Sequence, residues 1–137
     1  MGVESIGTGL KTTLSISGLR VYAPNELPDS INELPAALIL PRGVAYKQTF
    51  GDATATSIYT FRIVLLLTKQ DAPSAFNEIL DYIEPTGTKS LVAKVAADRT
   101  LNSSCDTSWI SDNLGLGTTN WGRVSYLSTE FLLEAYA

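Results

Sequence analysis

The chain has 137 residues, the size of one ordinary domain, and we expect a single domain over residues 1–137 with its own hydrophobic core. It contains no histidine, which excludes histidine-dependent triads, histidine metal sites and the usual catalytic general base. The formal net charge of −4 argues against sequence-independent binding of nucleic acid, because such binding depends on basic side chains that neutralise phosphates.

The first predicted element is a helix. Its apolar residues recur at helical spacing and predict a docking face that comprises Val3, Ile6, Leu10 and Leu14. The same stretch contains GTGLKTT, residues 7–13, whose composition is typical of a phosphate-binding loop. That loop requires a lysine directly after a glycine, whereas Lys11 follows Leu10, so we expect the polar side of a helix and no nucleotide site. Gly18 is predicted to end the helix.

Extended segments follow. Residues 19–23 predict a short strand, and residues 24–35, with three prolines, predict a long polar connection. The apolar run 36–40 predicts a strand that is covered on both faces and ended by Pro41.

A β-hairpin is predicted next. Tyr46, Gln48 and Phe50 begin an extended segment, and residues 51–56 supply the glycine and aspartate of a reversal. The long strand 57–68 completes the pair, and its continuous apolar run predicts burial.

Two helices are predicted in the middle of the chain. Asp71 is the expected N-cap of the first helix, Pro73 lies in its first turn, and residues 85–87 close it. Its expected inner face consists of Ala75, Phe76, Ile79, Leu80 and Ile83. Ser90 is the expected cap of the second helix, whose expected inner face consists of Leu91, Val92, Val95 and Ala96.

The C-terminal part returns to strands. A short strand is predicted around residues 107–111, a glycine-rich loop over 113–122, and a final strand over 123–137 that bends near Ser128. The predicted order is therefore helix, four strands, two helices and two strands. This order indicates the α+β class, with a mixed, largely antiparallel sheet packed by the N-terminal helix and the two central helices.

Groups of polar residues that resemble chemical sites have simpler structural explanations. Two such groups occur: Glu78, Asp81 and Glu84, and Asp106, Asp112 and Asn113. The first group lies between the apolar residues of a predicted helix, and the second does not match the calcium-loop spacing. Gly115 and Gly117 lack the third glycine of a dinucleotide-binding loop. We therefore predict no catalytic residue, no cofactor and no metal site, and a buried thiol at Cys105.

Four segments nevertheless form a recognisable series, each written here with its residue numbers: GLRVY at 18–22, PAALILP at 35–41, FNEILDYIEPTG at 76–87 and YLSTEFLL at 126–133. In this order, and preceded by a short helix, they resemble the tail terminator proteins of long-tailed bacteriophages. The correspondence covers almost the whole chain through loose, mostly structural motifs. Ser128 stands where the family pattern has a glycine.

The resemblance implies a structural protein of the virion without enzymatic activity. In this family a homohexameric ring caps the head-proximal end of the tail tube, stops its polymerisation and presents a docking face to the head connector. The implied partners are further copies of the chain, the tail tube protein and the head connector or neck protein, with assembly in the host cytoplasm. DNA would only pass through the lumen, and an acidic wall would let it slide. No membrane partner is expected, because no apolar run reaches the roughly eighteen residues of a membrane span.

Ring contacts are expected from the connection 24–35, the reversal 51–56 and the predicted loop that carries Trp121. The candidate contact residues are Glu26, Asp29, Tyr46, Gln48, Phe50, Asp52, Trp121 and Arg123. For Trp121, packing in the core of its own subunit and contact with a neighbouring subunit are both open.

Two alternatives stay open. The nearer one is another head–tail joining protein or a tail-tube protein, which shares the small size and the ring assembly. The more distant one is a small α+β ligand-binding domain or enzyme that uses residues 106–121.

Overall fold

The structure is a computed structural model that describes residues 2–46, 57–68 and 73–137. Helices and strands alternate in blocks, as predicted for the α+β class. In chain order the elements are helix α1 (Val3–Thr13), strand β1 (Arg20–Tyr22), a 3-10 turn (Pro24–Glu26), strands β2 (Ala36–Tyr46) and β3 (Ser57–Thr68), helices α2 (Pro73–Ile83) and α3 (Leu91–Ala97), and strands β4 (Thr107–Trp121) and β5 (Val124–Tyr136).

The strands of the described residues form one five-stranded sheet in the order β1-β2-β3-β5-β4. β1 pairs with β2 in parallel, and the other three pairs are antiparallel. The prediction of a mixed, largely antiparallel sheet is confirmed.

One face of the sheet is covered by all three helices. The predicted stripe of α1 is confirmed, since Ile6, Leu10 and Leu14 are fully buried against the sheet. Helix α2 contributes Ile79 and Tyr82 to the same core. Each fully buried leucine or isoleucine stabilises the fold by about 1.5–3 kcal/mol relative to an exposed position.

The opposite face carries a second, smaller core. The chain between the 3-10 turn and β2 crosses this face, and its Ile31 is buried there with Leu38 and Val64 of the central strands. Coverage from both sides explains why the run 36–39 is wholly buried, as predicted. The connection predicted to be polar is therefore also a covering layer.

Strand β2 is longer than predicted. It continues through Pro41 to Tyr46, with a shift of register between Pro41 and Gly43, so three strands rather than four precede α2 among the described residues. Proline is tolerated here because β1 covers only residues 36–38 of β2, and beyond them the strand lies at an edge that needs no N–H. Gln48, Phe50, Asp52 and the predicted cap Asp71 lie outside the described residues.

Helix boundaries and faces differ from the predictions at three places. Helix α1 ends at Thr13, and Gly18 adopts a positive φ of 83° in the following turn instead of ending the helix. Leu80 is 49% exposed because α2 turns Ile79 and Tyr82 inward instead. In α3 only Leu91 and Val95 of the predicted face are buried.

The glycine-rich segment is a strand, not the predicted loop. Residues 113–121 belong to the fifteen-residue strand β4, which pairs with β5 along almost its whole length. Register shifts between Ile110 and Asp112 and between Asn113 and Leu116 absorb the extra residues. Only Gly122 and Arg123, both with positive φ, form the turn. Pairing with a long β-branched and aromatic strand thus overrides the local turn preference of glycine.

The irregularity predicted near Ser128 lies in the neighbouring strand. Ser128 pairs with Leu66 and Leu127 pairs with Thr68, so the extra residue belongs to β3, while β5 runs without interruption.

Candidate interaction surface

The candidate contact residues that the structure describes lie at two opposite ends of the sheet. Asp29, Trp121 and Arg123 belong to one end, where the β4–β5 turn meets the connection between β1 and β2. Tyr46 belongs to the other end, where β2 pairs with Ser57. Since β5 spans thirteen residues between these ends, they are separated by roughly 40 Å at about 3.3 Å per residue.

Trp121 is anchored within its own chain. Its indole N–H donates a hydrogen bond of 2.9 Å to the carbonyl oxygen of Pro28, and its ring packs against the smaller core. Gly122 lies so close to the same segment that a Cβ atom there would be 2.6 Å from the carbonyl oxygen of Asp29. The turn is thereby fixed on the connection, while Asp29 and Arg123 themselves stay exposed.

Glu26 is engaged with the first helix. Its carboxylate accepts hydrogen bonds from the Lys11 ammonium and from the backbone N–H of Ala23. The hydrogen bond from Lys11 is the main reason that the pKa of Glu26 lies below its usual value. Lys11 of the GTGLKTT stretch therefore has a structural partner in Glu26.

The glycines of that stretch also have a structural role. Gly9 faces the loop after α3 so closely that a Cβ atom would overlap the carbonyl oxygen of Leu101 and the hydroxyl of Ser104. Gly7 faces the ring of Pro24, at 2.5 Å for such an atom. The two glycines let the helix pack directly on both neighbouring segments.

The loop that receives Gly9 is held by Asp98. Leu101, Asn102 and Ser103 all have positive φ, which non-glycine residues seldom adopt in succession. The Asp98 carboxylate accepts hydrogen bonds from the backbone N–H of Asn102 (2.8 Å) and from the Thr100 hydroxyl (2.9 Å). The first of these bonds is the largest cause of the lowered pKa of Asp98. The loop is thus fixed by its own polar groups.

A cleft of about 530 Å³ lies between this loop and α1. It is open to solvent and lined mainly by hydroxyl and amide side chains, including Ser5, Thr8 and Asn102.

Within the described part of the chain, no group of three or more His, Cys, Asp or Glu residues is arranged to hold a metal ion. The same residues include no helix long and apolar enough to cross a membrane.

Cys105 is buried, as predicted. Its sulfur lies 3.6 Å from the carbonyl oxygen of Arg99 and 3.7 Å from that of Thr107. Burial raises the pKa of this thiol, which keeps it protonated and unreactive.

Sequence reasoning did not single out two exposed apolar residues on β4. Leu114 and Leu116 of β4 are 56% and 45% exposed, and every residue from 111 to 118 is exposed. The alternate spacing of the two leucines is typical of a strand, but Gly115 between them and Gly117 after them suggest a loop. With Tyr46, at 76% exposure, the two leucines place apolar surface on both lateral edges of the sheet.

No protein-family model matches the chain, and the comparison with curated proteins finds no match to it.

Proposed function

We propose that this protein is a ring-forming terminator of a bacteriophage tail tube. In this role, copies of the chain join head to tail around the tube end, stop further polymerisation and offer the other side of the ring to the head connector. A heterologous contact of this kind forms a closed ring whenever its rotation closes.

One observation carries the proposal. Each of the four segments on which the resemblance rests forms the type of element that the family pattern requires. Residues 18–22 enclose β1, residues 35–41 begin β2, residues 76–87 comprise most of α2 and its end, and residues 126–133 lie in β5. A helix precedes the first of them. The order of these four elements, with a helix before them, is the observation that supports the proposal.

The charge of the chain is compatible with the same role. With a net charge of −4, a ring of identical subunits is strongly acidic, and an acidic passage does not hold DNA that moves through it. The proposed partners are therefore proteins: the last ring of the tail tube on one side and the head connector on the other.

Tube elongation in the presence of this protein tests the proposal. The cognate tail tube protein would be polymerised in vitro with increasing amounts of this protein, and tube lengths measured by negative-stain electron microscopy. We expect short tubes that carry a ring at one end, at substoichiometric amounts of this protein. Tubes of unchanged length without end rings would contradict the proposal.

The same experiment separates the nearer alternative. A tail-tube protein would be incorporated along the tube and would lengthen it, whereas a joining protein of the connector would leave tube length unchanged and bind the connector alone. The more distant alternative, a ligand-binding domain built on residues 106–121, would have to use the open cleft of about 190 Å³ that residues 114–119 of β4 and 128–130 of β5 line.

A further inference from the structure

We infer that the ring is closed by β-strand addition, in which the free edge of β2 in one copy pairs with the free edge of β4 in the next. The occupant of each edge is thus a second copy of this chain. The inference rests on the proposed ring and names the surface through which its subunits join.

The first half of the junction is the outer edge of β4. This strand is the last in the sheet order, so among the described strands none pairs with its outer side. Near its start the edge is occupied, since Arg99 donates a hydrogen bond of 3.1 Å to the carbonyl oxygen of Ser108. From residue 111 to residue 118 every side chain is exposed on both faces of the strand. Two bulges and a hydrogen bond of 3.0 Å from the Gly115 N–H to Asn113 Oδ1 interrupt this stretch, and the rest of its outer edge is open to another strand.

The second half is the outer edge of β2 at the opposite side of the sheet. β1 covers only residues 36–38, and no other described strand pairs with the outer side of residues 39–46. Residues 41–46 are exposed except for Val44, which is half-buried. This stretch ends in Tyr46, the most exposed large apolar side chain of the described residues.

The apolar side chains of the two edges complement each other. The described chain has four exposed large apolar side chains, and three of them lie on these two edges: Tyr46 on β2, and Leu114 and Leu116 on β4. Exposed apolar residues scattered over a surface need no explanation, but their concentration on two unpaired edges indicates a contact. In the proposed junction Tyr46 of one copy packs on the two leucines of the next.

Strand direction fits a ring. β2, β3, β5 and β4 alternate in direction, so β2 and β4 of one copy run antiparallel. A rotation about an axis roughly along the strands preserves these directions, and β2 of one copy therefore meets β4 of the next in antiparallel pairing. Antiparallel pairing is also the geometry of three of the four strand pairs within the chain.

The pairing registers give the stagger between the two edges. Ala45 lies in one row with Ile58, Tyr136 and Thr107, whereas Leu116 pairs with Thr129, seven residues before Tyr136 along β5. Tyr46 therefore meets the leucines when neighbouring copies are shifted by about this distance along the strands, roughly 23 Å at about 3.3 Å per residue. Pro41 and the two bulges of β4 interrupt the edges, so the proposed pairing is limited to the regular stretches beside them.

Thiol crosslinking tests the junction in the full chain. In a Cys105→Ala background, Tyr46→Cys and Leu114→Cys would be made separately, mixed, and treated with a short bifunctional maleimide. We expect covalent dimers from the mixture and almost none from either variant alone, because the contact joins two different surfaces. The double variant should give a ladder of species that ends at the ring.

Leu80 supplies the matched control, since it is an exposed leucine on α2, away from both edges. Leu80→Cys mixed with Leu114→Cys should give no dimer. Likewise, Leu116→Asp should weaken assembly roughly tenfold or more in light scattering, as expected for a central apolar contact, while Leu80→Asp leaves it unchanged.

The outcomes separate the junction from the ring itself. Rings that form normally but crosslink equally through Leu80→Cys, or between two copies of one variant, overturn the junction and leave the ring standing. A chain that stays monomeric alone and on the tube, with no crosslink, overturns both.

Discussion

Gly9 is a single residue on which the packing of α1 depends. A glycine in an unhindered helix position is normally improved by alanine, by up to about 1 kcal/mol. Here the added methyl group would overlap the backbone of Leu101, which cannot move as a flexible side chain does.

We therefore expect Gly9→Ala to destabilise the protein by about 2–3 kcal/mol, as overpacking in a core does. Urea denaturation followed by circular dichroism measures the change. Thr8→Ala, at the neighbouring exposed position, should change stability by less than about 0.5 kcal/mol. If the two substitutions changed the free energy of unfolding equally, the close approach at Gly9 would not limit the size of its side chain.

Asp98 determines how the loop before β4 responds to acid. Because its pKa in the folded state is below the ordinary value, its stabilising contribution is complete above about pH 4 and is lost as the pH falls through the folded-state pKa. Asp98→Asn should lower stability at neutral pH and flatten the loss of stability between about pH 4 and pH 2.

Thermal unfolding of both proteins across this pH range provides the measurement. Asp106→Asn is the control, since Asp106 is an exposed aspartate for which no such hydrogen bonds from the loop are present among the described residues. If the stability of Asp98→Asn fell with pH as steeply as that of the unsubstituted protein, Asp98 would not be the residue that holds the loop.

Helix α3 is an element whose start was read correctly from sequence. Ser90 precedes it, accepts a hydrogen bond of 3.1 Å from the backbone N–H of Ala93, and donates one to the carbonyl oxygen of Glu84. It thus caps α3 and ties it to the end of α2.

Ser90→Ala should cost about 1 kcal/mol, the usual cost of losing an N-cap, and somewhat more because Glu84 also loses its donor. Chemical denaturation quantifies the loss, with Ser17→Ala at an exposed position as the control. Retention of full stability in Ser90→Ala would mean that water replaces both hydrogen bonds without cost.

The elements that were predicted correctly are set by their local sequence, whereas those that were predicted wrongly depend on a distant pairing partner. The stripe of α1 follows from helical periodicity, and the double burial of residues 36–39 follows from a continuous apolar run; both are properties of the local sequence. Strand β4 was missed because its glycines suggest a loop, and its extended form depends on pairing with β5, a partner that follows it in the chain. Likewise, the tolerance of Pro41 within β2 depends on where β1 ends.

At the scale of the whole molecule, the connection between β1 and β2 acts as a second layer on the sheet. Trp121 fixes this layer through its hydrogen bond to Pro28 and its place beside the smaller core. Loss of that side chain should therefore loosen the layer without unfolding the helical side.

We expect Trp121→Ala to accelerate amide hydrogen exchange in residues 27–34 by roughly tenfold or more, while α1 keeps its protection, because local opening is governed by local contacts. Mass spectrometry of peptides after exchange gives the measurement. Trp109→Ala, which removes the stacking partner of Tyr136 at the opposite end, should leave residues 27–34 unchanged. Faster exchange throughout the chain in Trp121→Ala would contradict an independent layer.

The sequence by itself determined the class of the fold, the buried faces of its most regular elements and the absence of histidine chemistry, because periodicity and composition are local properties. It also suggested Tyr46 and Trp121 as contact residues, yet it could not separate them. The tertiary structure anchored Trp121 within its own chain and left Tyr46 exposed. It also showed why GTGLKTT carries glycines, and which edges of the sheet stay open. These features depend on which distant segments come together, and strand order and close approach are set by the packing of the whole chain.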